Sequence, residues 1–167
     1  MGFVFDTSKF TVFICYHENE RPEKNNVFAE IIHDFLDGYG VNSFIAHLER
    51  SKYSEVFDQV RKEILTISTC KYFIFINTQG SLKRDEVIKE FNIAFPSGLE
   101  TTPKLLVLRH NSAQLTDPEF ESKTGISLKG YNQAKFEDEG DLVKVTRNML
   151  KTYDFNANIP SGEDLQK

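Results

Sequence analysis

Short apolar runs alternate with amphipathic helical stretches along most of this 167-residue chain, and that alternation restricts its fold more than any other feature. TVFICY (11–16) and CKYFIFINT (70–78) are almost continuously apolar, the pattern of strands buried on both faces. VNSFIAHLE (41–49) and PKLLVLRH (103–110) add two more β-rich runs. Between them, NNVFAEIIHDFLDGYG (25–40) places Phe28, Ile31, Ile32, Phe35 and Tyr39 on one helical face, with Asn25 or Asn26 as cap and Gly38 or Gly40 as stop. YSEVFDQVRKEILTIS (53–68) turns Val56, Phe57, Val60, Ile64 and Ile67 inward, and SLKRDEVIKEFNIAF (81–95) is a third helix. Residues 111–125 read as polar loop with a partly helical portion. A short strand is expected within 126–136 and a closing helix over 140–153.

Strands and helices at this spacing predict an α/β, three-layer, flavodoxin-like fold: a five-stranded parallel sheet in the order 2-1-3-4-5 with helices on both faces. The length suits one domain, expected over 1–155, with 156–167 as a flexible tail without an apolar pattern. Such sheets bind ligands beyond the carboxyl ends of their strands, which directs attention to Tyr16–His17, His47–Glu49, Thr78–Ser81 and His110.

Several function classes are disfavoured. Net charge is −5 with no basic block, so nucleic-acid binding is not expected. The apolar runs are too short to span a bilayer, and MGFVFD lacks the basic region and cleavage site of a secretory signal. Cys15 and Cys70 stand apart with no clustered histidines, which argues against a metal site or a disulfide and for a reducing, cytoplasmic setting. Neither a G-x-G-x-x-G nor a P-loop follows the first strand, and no G-x-S-x-G occurs. Cys15, His33 and His110 read as core or surface residues, His47 as a loop hydrogen-bonder, and the helical lysines and arginines as solvated faces.

Two acids in the third helix stand out. Val87, Ile88, Phe91, Ala94 and Phe95 share one arc at roughly 100° per residue. Glu90 falls at the seam of that arc and Glu86 further out, so Glu90 is the carboxylate expected to be part-desolvated beside a cleft.

VFICYHENE, FIAHLERSKYSEVFDQVRKEILTISTCKYFIFINT and NTQGSLKRDEVIKEFNIAF together resemble the first, second and third strands and the intervening loops and helices of a Toll/interleukin-1 receptor (TIR) domain, in particular the stand-alone prokaryotic TIR-like proteins. The resemblance covers roughly residues 10–95, and GYNQAKFEDEGDLVKVTRNML is weakly similar to the family's closing strand and helix. Laying the family's E-[ILV]-x-x-A on EFNIA puts Glu90 at its glutamate and Ala94 at its alanine. Glu86 then stands where Trp is common, Arg84 where Ser is common and Phe91 where the pattern has Ile, Leu or Val, three departures from it.

The resemblance implies an enzyme that cleaves the nicotinamide–ribose bond of NAD, its substrate rather than a cofactor, in prokaryotic anti-phage signalling. Cationic nicotinamide leaves readily, so one carboxylate, Glu90, can suffice to stabilise the ribosyl oxocarbenium ion, with ADP-ribose or a cyclic form as product. It also implies Tyr16 and His17 in the nucleotide cleft, Thr78 and Ser81 as hydrogen-bond donors to ribose or phosphate, and Glu86 flanking the site. His47 and Glu49 would begin a BB-type loop through which the chain forms a homo-oligomer, with a separate sensor or effector protein as partner. Two other readings stand beside it: a non-catalytic TIR adaptor acting by self-association, and a nucleoside deoxyribosyltransferase-like enzyme.

Overall fold

The structure, a computed structural model, describes residues 9–17, 24–66, 70–98 and 103–153. The expectations for Ile67, the N-terminal hexapeptide and the tail 156–167 lie outside the described residues.

In chain order the elements are β1 (Val12–Cys15), α1 (Lys24–Asp37), β2 (Ser43–Ile45), α2 (Ala46–Tyr53), α3 (Phe57–Thr66), β3 (Tyr72–Asn77), α4 (Asp85–Ala94), β4 (Lys104–His110), α5 (Pro118–Thr124), β5 (Gln133–Phe136) and α6 (Glu139–Thr152). The five strands form one parallel sheet in the order β2-β1-β3-β4-β5, the flavodoxin-like arrangement. All four residues of β1 are buried, as a strand covered on both faces requires. α1 packs beside α6, whereas α3 packs beside α4 and α4 beside α5.

Phenylalanine supplies much of the core. Register places Phe13 opposite both Phe44 and Phe73, and its ring stacks on them at 5.3 and 5.6 Å. Phe91 of α4 meets Phe73, Phe75 and Phe120 at 4.9, 5.1 and 5.0 Å, edge to face, so α4 is seated on the sheet by aromatic contacts.

Two local expectations need correction, and the partial helix expected within 111–125 is α5. β2 is only three residues long, and 46–53, expected as strand end and loop, is helix α2. Ala, Leu, Glu, Arg and Lys in AHLERSKY are strong helix formers, and only Ser43–Ile45 lie beside β1 to be held extended. α1 begins at Lys24, so Asn25 and Asn26 lie inside the helix rather than capping it. Within the segment read mainly as loop, α5 is stabilised by Asp117, whose side chain accepts from the Phe120 N–H at 3.0 Å, by Pro118 in its first turn, and by Gly125 at φ 75° closing it.

Candidate functional site

The strand order reverses direction beside β1, between its neighbours β2 and β3, and the residues that continue β1 open into a crevice there. A cleft of about 370 Å³ is lined by Tyr16, His17, Ala46, Arg50, Arg61, Arg84, Glu86, Val87 and Glu90. Tyr16 and His17 extend β1, Ala46 and Arg50 belong to α2, Arg61 to α3, and Glu86, Val87 and Glu90 to α4. All of them fall within residues 16–90.

Glu90 lies three residues after Val87 and four before Ala94, so the inward arc of α4 carries it into the protein; only 5 % of it is exposed. Glu86, one turn earlier, keeps 59 % of its side chain in solvent. The two acids differ more than periodicity alone suggests, because Glu90 is buried rather than at the seam.

Arg61 joins them. Its Nη1 donates to Glu86 at 2.6 Å and to Glu90 at 3.1 Å, and its Nη2 donates to Asp58 at 2.8 Å. The guanidinium is almost wholly buried, and its carbon lies 5.4 Å from the centre of the Phe57 ring. One cation is thus shared by three carboxylates, with its longest contact to Glu90. The Cys15 thiol faces the Glu90 carboxylate and favours its ionised form. Burial nevertheless wins: it pushes the Glu90 carboxyl up to about 7, against the pull of Arg61 and Cys15. Cys15, fully buried and facing that carboxylate, is held far above the ordinary thiol range. At neutral pH Glu90 therefore exchanges between acid and carboxylate inside the cleft.

The other sequence candidates divide. Tyr16, His17 and Glu86 share the cleft with Glu90. His47 stands behind Tyr16, its ring bonded to the phenol and to Glu30. Glu49 is buried in α2 and does not line the cleft. Thr78 and Ser81 close a turn on each other, their hydroxyls 2.9 Å apart, and Thr78 faces a separate hollow of about 330 Å³ with Asn77, Lys83 and Gln114. A larger hollow, about 540 Å³, lies against β4 and β5, and among the described residues no acidic side chain lines it. Among the described residues no group of three or more His, Cys, Asp or Glu side chains could hold a metal ion.

The expectation that helical arginines are solvated fails at Arg61. The signal was present: Arg61 lies four residues after Phe57 and three before Ile64, within the apolar face of α3. A charge at such a position is carried inside and requires buried partners.

The sequence matches no protein-family model, and no curated protein matches it.

Proposed function

We infer that this chain is a TIR-like enzyme that cleaves the nicotinamide–ribose bond of NAD. The observation that carries the reading is the buried Glu90 carboxylate lining a cleft at the carboxyl end of β1, with the Arg61 guanidinium on it. A low-dielectric, preorganised carboxylate is what an oxocarbenium ion needs opposite it. The glycosidic C–N bond breaks with its electron pair moving to the nicotinamide nitrogen, which neutralises the pyridinium. The ribosyl cation left behind faces Glu90.

The cleft is at the small end of the range for ligand sites, so it suits the nicotinamide riboside half of the dinucleotide. Arg50 and Arg84, both exposed at its margin, supply positive charge for the pyrophosphate. A role in anti-phage signalling, with self-association and a separate sensor or effector, rests on the resemblance alone.

The test is NAD turnover by concentrated purified protein, with products resolved so that ADP-ribose is separated from cyclic forms. Glu90→Gln is expected to lose on the order of 100-fold or more of the rate, and Glu86→Gln less than about tenfold. Full turnover by Glu90→Gln would overturn the assignment. A wild-type protein that leaves NAD intact would point instead to an adaptor, whose motif can carry Arg84 and Glu86 in place of Ser and Trp without loss.

A further inference from the structure

Tyr16 lines the cleft with its phenol oxygen held in a chain of groups that leads away from the cleft. His47 Nδ1 lies 2.5 Å from Tyr16 Oη, and His47 Nε2 lies 2.6 Å from Glu30 Oε1. The backbone N–H of His47 donates to the same phenol oxygen at 2.9 Å. With Glu30 ionised and the imidazole neutral, the contacts order the hydrogens in one direction. An ionised carboxylate only accepts, so Nε2 carries a hydrogen and donates to Glu30. Nδ1 of the neutral ring is then an acceptor, and Tyr16 donates to it while accepting from the backbone N–H.

Exposure increases along the chain: Tyr16 is 5 % exposed, the His47 side chain 16 % and the Glu30 side chain 44 %. The three groups come from the end of β1, the start of α2 and the middle of α1. Glu90, by contrast, is buried, with Arg61 on its carboxylate. In the proposed reaction its carboxylate faces the ribosyl cation, which leaves the proton of the attacking water to another group.

We propose that Tyr16, His47 and Glu30 form a proton relay that drains the cleft, with Tyr16 taking the proton of the attacking water as it adds to the ribosyl cation. This rests on the NAD-cleaving reading above. As the water oxygen bonds C1′, one water O–H bond breaks and its proton joins Tyr16 Oη. The phenol proton passes to His47 Nδ1, and the imidazolium so formed lies against the Glu30 carboxylate until solvent takes the proton. Nicotinamide has already left with its electron pair, so no oxidant or reductant enters. Tyr16 is the catalytic group of the relay, and His47 and Glu30 act through it.

The test is a competition between acceptors. Water must lose a proton when it captures the ribosyl group, whereas a pyridine base attacks through a lone pair and loses none. Wild-type protein, Tyr16→Phe, His47→Gln and Glu30→Gln would each receive NAD with a substituted pyridine, and the ratio of base-exchange to hydrolysis product would be measured. The relay requires that ratio to rise by at least about tenfold in Tyr16→Phe and His47→Gln, with a smaller rise in Glu30→Gln. Total nicotinamide release should fall much less. A brace that merely pins α2 to β1 would lower both products together, and an unchanged ratio in Tyr16→Phe and His47→Gln overturns the relay. Wild-type protein that releases no nicotinamide overturns the relay along with the reading beneath it, an outcome the wild-type control alone identifies.

Discussion

At Glu90 and Arg61 burial, charge and chemistry meet within a few ångströms, and their consequences are measurable in two ways. Because Glu90 titrates near 7 in the folded protein and near 4.5 when exposed, the folded state holds the extra proton between those values. Its contribution to stability is fully present below about 4.5 and is lost as pH rises through about 7. It amounts to about 3 kcal/mol by linkage. Denaturant unfolding of wild type and Glu90→Gln across pH 5–8 should therefore show their stability difference shifting against the wild type as pH rises. Under the proposed NAD-cleaving function the rate should run the other way: with ionised Glu90 as the active form, NAD cleavage is expected to rise with pH and level off above about 7. Arg61 holds the carboxyl down against burial, so Arg61→Met should move that plateau to higher pH, read from the pH dependence of kcat/KM.

The elements show how far the sequence carries a reader. Alternating strand and helix patterns were enough for the sheet, its order and both groups of helices, because buried parallel strands must be apolar throughout while their crossover helices show a stripe. α2 escaped because AHLERSKY follows three residues that pair with β1, and nothing in composition marks where pairing stops. α5 is short, but Asp117, Pro118 and Gly125 spelled out its boundaries, and Asp117→Ala should lower the melting temperature by a few degrees through loss of that cap. The cleft was half legible. Strand ends pointed to Tyr16 and His17, and helix periodicity to Glu90. Arg61 and Glu30 join the site through contacts 29 and 17 residues apart in sequence, a separation that no local pattern spans.

Across the whole molecule, the aromatic core holds the site in position. Phe91 follows Glu90 directly and is fully buried against three rings from the sheet and α5. Phe91→Ala should cost about 3–5 kcal/mol in a chemical denaturation experiment. Phe91→Leu, which keeps most of the volume, should remain folded yet, under the proposed function, reduce NAD turnover by letting α4 settle differently under Glu90.

Among the described residues the cleft draws on 16–90, while β4, β5, α5 and α6 complete the sheet and its cover. This places two different demands on one polypeptide. In a library of all single substitutions selected for function, isosteric charge-removing changes such as Glu→Gln should be punished in the first half of the chain and largely ignored in the second. There the tolerated set would be decided by volume and hydropathy. The gene would accordingly show two regimes of permissiveness, with the change falling near α4.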